Sequence, residues 1–214
     1  MRLARLRRSS SAARSGRRSP RAATAAGASL LEALVVVALV GLVVMPAVPS
    51  FAAWRQRQRL DSALRHLAQE VARACAFAAA SGRTHGVRFE ASAVDLGWAL
   101  AADGDGDGLT TADLEDGTDP AVVATERLTL RFPGLLPGRP AGVPTVAGGA
   151  ADRDGMAFGG AAAVSCSADG GARSGTLYLR SERGDAAALR VYGPSARLTL
   201  WWWDTTVGRW VRAG

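Results

Sequence analysis

The chain of 214 residues contains no lysine. That excludes a phosphate-loop lysine, a Schiff-base lysine and a Ser-x-x-Lys nucleophile pair. Histidine is nearly as scarce. His66 and His85 stand alone, at a spacing that suits no shared metal. Neither a Gly-x-Ser-x-Gly elbow nor a His-Glu-x-x-His helix occurs. No catalytic set can be assembled, so the chain reads as a non-enzyme with no small-molecule substrate and no resident cofactor, calcium being the one ligand weighed below. Cysteine is limited to Cys75 and Cys166. The pair favours an oxidising compartment. A disulfide between them and two separate buried thiols are both compatible with the sequence.

Acids are missing from the first 27 residues, which hold eight arginines. The rest of the chain carries 18 basic and 19 acidic residues, so the formal charge of +7 belongs to the N-terminal extension and not to the body. Nucleic acid is therefore not an expected partner, since phosphate binding needs a basic surface on the body. The extension is rich in Arg, Ser, Ala and Gly, buries too little to fold, and reads as a targeting leader. Charge is then absent altogether over 22 residues, Ala33 to Trp54. As a helix this run is about 33 Å long, enough to cross a bilayer core. Glu32 sits at its mouth, where an unpaired carboxylate is costly.

The stretch GASLLEALVVVALVGLVVMPAVPSFAAW, residues 27–54, resembles the type IV prepilin family. In that family a basic leader ends in Gly, a Glu stands fifth in the mature chain, and a long apolar helix follows. Here Gly27 matches the last leader residue, Ala28 the first mature one and Glu32 the fifth. Ala28 departs from the usual Phe. The resemblance implies cleavage between Gly27 and Ala28 by a prepilin peptidase and N-methylation of Ala28. It also implies pairing of Glu32 with a neighbour's terminal ammonium during filament assembly. Pro49 falls where pilin helices often carry a proline. Residues 49–89 further resemble the GspH/FimT branch of pseudopilins and minor pilins, as do, more loosely, residues 97–109 and 175–200.

That likeness implies a GspH-like minor pseudopilin of a type II secretion system, inserted into the pseudopilus or at its tip. Its partners would be other pseudopilins or pilins, the peptidase and an inner-membrane assembly platform. It would be a single-pass inner-membrane protein with its C-terminal domain in the periplasm. The alternative is a FimT-like minor pilin of a type IV pilus, active in priming or DNA uptake. DNA-binding members share a Gly-Arg-x-Arg segment, whereas here Ser195-Ala196-Arg197-Leu198-Thr199 lacks the Gly and the second Arg.

The residues divide the chain into a leader (1–27), a transmembrane and assembly helix (28–54) and a globular domain (55–214). Leu60, Leu64, Leu67, Val71, Cys75 and Ala78 recur at helical spacing and mark one face of an amphipathic continuation. Pro46 and Pro49 are expected to kink the helix, and Ser81-Gly82 to stop it. From Thr84 the period becomes two. Strands are expected at Val87–Phe89, Val94–Ala101, Val122–Phe132, Thr176–Arg180, Ala187–Tyr192 and Arg197–Trp203, with a long loop over Pro133–Gly155. The fold class is α+β: a long N-terminal helix, transmembrane then amphipathic, packed on an antiparallel sheet in the manner of type IV pilins.

One acidic stretch stands out, DGDGDGLTTADLEDGTDP. Asp103, Asp105 and Asp107 match the first half of an EF-hand-like calcium loop, but the twelfth position is Leu114, with Asp113 and Glu115 on either side. A polar loop using Asp and Gly for turn geometry is the alternative. Near the C-terminus Trp201, Trp202 and Trp203 stand in succession. Strand alternation must send at least one of them to an outer face.

Overall fold

A computed structural model of the chain describes residues 29–147, 155–158 and 162–213, and only the backbone at residues 43–50. The expected leader and the Gly27–Ala28 junction lie outside the described residues. So do the side chains of Pro46 and Pro49 and the kink expected there. Helix α1 is assigned over Leu30–Ser81, and the chain divides into two compact units, Met1–Pro46 and Ala47–Gly214.

In the first unit, every described side chain from Leu30 to Leu42 is exposed. The Ser29 hydroxyl accepts the Glu32 amide at 3.2 Å, which satisfies one orphan donor of the helix start. Among the described residues no helix is long and apolar enough to cross a membrane. The expected span contains the eight side chains at 43–50 that lie outside the description.

In the second unit, the amphipathic stretch of α1 buries the expected face. Leu60, Leu64 and Leu67 are fully buried, as are Val71 and Ala78, while Arg57, Arg65 and Arg73 remain outside. Asp61 and Arg65 form the expected pair one turn apart, at 2.7 Å. The helix ends at Ser81, and Gly82 takes a left-handed conformation that favours glycine.

Two antiparallel sheets follow. β1 (His85–Ala91) and β2 (Leu96–Ala102) pair from His85↔Ala102 to Ala91↔Leu96. β3 (Glu126–Arg127) adds to β2 and β6 (Ala163–Cys166) to β1, giving the order β3-β2-β1-β6. In the second sheet β7 (Gly175–Ser181), β8 (Ala186–Tyr192), β9 (Arg197–Asp204) and β10 (Arg209–Arg212) form a meander. The short β4 (Leu135–Pro137) and β5 (Met156–Ala157) pair with β7. The body is therefore α+β with antiparallel sheets.

Period-two alternation turns Val87, Phe89, Leu96, Trp98 and Leu100 of the first sheet into the core. It does the same for Leu177, Leu179, Leu189 and Val191 of the second. Both sets share one cluster with Leu60, Leu64, Leu67 and Val71 of α1. The disulfide Cys75–Cys166, with Cα atoms 4.9 Å apart, ties this helix to the end of β6 across 91 residues of sequence.

The structure corrects two local expectations. Val122–Phe132 is not one strand: it contributes two residues to β3 and then the helical turn α3 (Leu128–Arg131). The cause is remote in sequence. The Asp95 carboxylate accepts the Thr129 amide at 3.0 Å and meets Arg127, so it satisfies the start of the turn. Burial pushes the Asp95 carboxyl up, but the Thr129 amide and hydroxyl, the Leu96 amide and Arg127 together hold it below its ordinary range. Second, the expected loop from Pro133 contains β4. His66 is half-buried at the edge of the helical face. It packs edge-on to Trp98 and lies 3.4 Å from Glu126.

Opening the disulfide in a Cys75→Ala plus Cys166→Ala variant frees a long loop of the unfolded chain. The chain-entropy account gives a loss of about 4–5 kcal/mol for a loop of roughly this length. Melting of the double variant is expected about 10 °C or more below wild type. A shift within about 2 °C would show that the bond adds nothing to packing already complete.

Candidate functional site

The acidic stretch closes into a compact loop between β2 and residue 120. Asp103 leaves the end of β2 with its carboxylate buried: Oδ1 accepts the Gly106 amide at 2.6 Å and Oδ2 the Gly108 amide at 3.1 Å. Asp119 is also buried and reaches in from the other end. Its Oδ1 accepts the Gly104 amide at 2.9 Å and its Oδ2 the Thr110 amide at 3.3 Å. Four backbone donors thus converge on two carboxylates, a strong charge-assisted arrangement. It requires Gly104, where a Cβ would lie 1.9 Å from the Thr118 carbonyl oxygen. Arg83 braces the base, donating to the carbonyls of Asp103 at 2.8 Å and Gly104 at 3.0 Å.

The second half of the loop is a helical turn, α2 (Thr111–Asp116). The Thr110 hydroxyl caps it by accepting the Asp113 amide, and Gly117 ends it in a left-handed conformation. Leu114, at the twelfth position, is buried against Ala101, Leu109 and Ala163. Glu115 lies on another flank, in a cleft with Arg88 and Phe89, and belongs to neither acidic cluster. The displaced acid therefore does not restore the missing bidentate ligand.

Two triads remain whose carboxylate oxygens lie within 4.8 Å of one another: Asp103, Asp105 and Asp119, and Asp105, Asp107 and Asp113. Sequence reasoning singled out four of these five residues and missed Asp119. Its signal is weak, because the return of the chain through α2 brings it in, where the Asp119 amide donates to the Asp113 carbonyl at 2.9 Å. The first triad has its buried oxygens committed to amides. The second is open, and its charges oppose one another. Local desolvation, then the neighbouring charges of Asp105 and Asp113, raise the Asp107 carboxyl above its ordinary range. An oxygen-seeking divalent cation such as calcium would gain most at this second triad.

The other residues singled out in the sequence are spread through the chain. Glu32 stands in the first turn of α1, and Gly27 and Ala28 lie outside the described residues. Trp202 turns toward the core. Trp203 turns away and meets Trp210 of β10 edge-on, with centroids 5.6 Å apart. Trp201 shares that outer side and donates to the Thr199 hydroxyl at 3.2 Å. The expected outer face is thus real, and β10, absent from the sequence reading, covers part of it.

No protein-family model, no curated protein and no solved structure matches this chain. Function is therefore inferred from the residues themselves.

Two measurements follow from the loop. The raised Asp107 carboxyl favours the folded state fully below its ordinary pKa of 3.8, and that gain is lost as pH rises through the folded value. Asp107→Asn removes the repulsion, so its melting temperature should exceed wild type slightly at pH 7 and match it below about pH 3.8. In the second measurement, the full chain is melted in calcium, magnesium and chelator. A bound calcium at about 100-fold over Kd adds roughly 2.7 kcal/mol. Asp105→Asn plus Asp107→Asn should then abolish the calcium-specific rise. Equal melts in calcium and magnesium would mean that the amide contacts alone close the loop.

Proposed function

We propose that the chain is a structural subunit of a type II secretion pseudopilus, a GspH-like minor pseudopilin. It is anchored in the inner membrane and carries its body in the periplasm. The observation that carries this reading is one spacing: Gly27, Ala28 and, fifth from the junction, Glu32, followed by 22 uncharged residues. Two features support it. The amphipathic stretch of α1 lays one face on a body of antiparallel sheets. The body carries a disulfide, which suits an extracytoplasmic compartment.

In this reading, cleavage after Gly27 frees an ammonium on Ala28. Glu32 of one subunit then meets the ammonium of the next, so that two charges costly in lipid neutralise each other and fix axial register. Methylation of the amine keeps its charge and leaves the pairing intact. The contact between Ser29 and Glu32 offers Glu32 a second, local role, because Ser-x-x-Glu is also a helix-capping spacing. Capping tolerates Gln at this position. Charge pairing does not.

The test uses both properties. Intact mass of the membrane-extracted protein should show loss of residues 1–27; a retained arginine-rich leader overturns the proposal. Glu32→Gln and Glu32→Ala should both insert and be processed, and both should lose co-purification with partner pseudopilins by at least about tenfold. Wild-type assembly of Glu32→Gln would assign Glu32 to capping alone.

A further inference from the structure

The outer face of the larger sheet holds an arrangement distinct from the acidic loop. Alternation along β7, β8 and β9 sends Leu177, Leu189 and Leu200 to the core and Tyr178, Arg190, Tyr192 and Arg197 to the other side. The Arg190 and Arg197 guanidiniums lie 4.9 and 5.0 Å from the centroid of the Tyr192 ring, and Arg139 lies 5.0 Å from that of Tyr178. Elsewhere in the body Arg57, Arg65, Arg88, Arg127 and Arg131 each meet a carboxylate. Among the described residues, Arg139, Arg190 and Arg197 meet none. Two guanidiniums sharing one ring repel each other, and no described acid pairs with either.

Beside them lies a cleft of about 350 Å³ lined by Thr145, Ser174, Thr176, Tyr178, Arg190 and Tyr192, among others. Two of its hydroxyls already accept backbone amides. The Tyr178 hydroxyl accepts the Val146 amide at 3.0 Å, and the Ser174 hydroxyl accepts the Gly193 amide at 2.8 Å. Each keeps its own proton free to donate. Thr145 Oγ1 is buried with no hydrogen-bond partner, which is costly for a polar atom left unpaired. Among the described residues no lining residue is acidic, and donors and positive charge are in excess there.

We infer that this cleft binds an oxyanion presented by an acidic polypeptide, an Asp or Glu side chain of a partner protein held by Arg190 and the hydroxyls of Thr145, Ser174 and Tyr178. A planar guanidinium suits a carboxylate in two-point contact. The cleft is at the small end of ligand sites and accommodates a side-chain head. A nucleic acid needs a row of cations along its backbone, whereas the described lining of the cleft offers Arg190. The site is independent of the leader and of Glu32, so a chain that fails to assemble through α1 still binds.

The probe is a fluorescein-labelled peptide with the sequence of residues 103–119, which holds seven acids and no base. It is titrated by anisotropy against the purified full chain in detergent. Binding should weaken with salt and be displaced by inorganic phosphate. Loss of a charge-assisted contact predicts about a tenfold or larger loss of affinity for Arg190→Gln. Arg197→Gln, at an exposed position, should lose several-fold, and Arg209→Gln, on another strand, should bind as wild type. Melting curves of the variants exclude misfolding as the cause. Absence of peptide binding at millimolar concentration overturns the proposal. Wild-type affinity in both the Arg190→Gln and Arg197→Gln variants does the same. Tighter binding of a single-stranded oligothymidylate than of the peptide would also overturn it and make the face a nucleic-acid surface.

Discussion

The body depends on one stripe of a helix. Leu60, Leu64, Leu67 and Val71 are at most 1 % exposed, and the inner faces of both sheets contribute to the same cluster. Each such side chain contributes roughly 1.5–3 kcal/mol on burial. Without the stripe, β2 and β8 would each present an apolar face with no cover. The first sheet has four strands and the second is a meander; α3 adds Leu128 to their shared core, and α1 adds the whole stripe. The helix is thus the shared wall of the domain.

Charge within the body is separated and not merely balanced. Residues 103–119 hold acids alone, whereas the outer face of β8 and β9 presents Arg190 and Arg197 stacked on Tyr192. A body that is near neutral in sum therefore carries two local fields of opposite sign. Each is maintained by backbone geometry. The negative one relies on Gly104, which lets the loop turn back past the Thr118 carbonyl. The positive one relies on strand register, which sets Arg190 opposite Thr199 and Tyr192 opposite Arg197. Neither field appears in the formal charge of +7, which the arginines of the first 27 residues dominate.

Legibility in the sequence followed the range of the interactions. The face of α1, its stop at Gly82 and strands β1, β2, β7, β8 and β9 were readable, because their patterns repeat every two or three to four residues. The turn α3 was hidden, because Asp95 supplies its first contact from 34 residues away. Asp119 was hidden for a similar reason: α2 folds the chain back before it joins Asp103. The packing of Leu114 with Leu109 in a small buried cluster was hidden too, because ligand spacing carries no sign of it. The arginine-bearing cleft was invisible because its members come from four separated segments, around 145, 157, 176 and 191. By contrast, Ser29 and Glu32 announce a cap at a spacing any sequence shows.

The disulfide also decides how the body answers a mechanical load. Tension entering from the N-terminal side travels along α1 and can unravel it only as far as Cys75. There the path crosses the sulfur atoms to Cys166 and leaves the intervening chain unstressed. Strands β1 to β5, the acidic loop and α3 all lie within that bypassed stretch. Only β7 to β10, beyond Cys166, remain in series with a pull between the two termini. A body pulled by its helix would thus lose its meander before its first sheet, with covalent chemistry and not side-chain packing setting the order of failure.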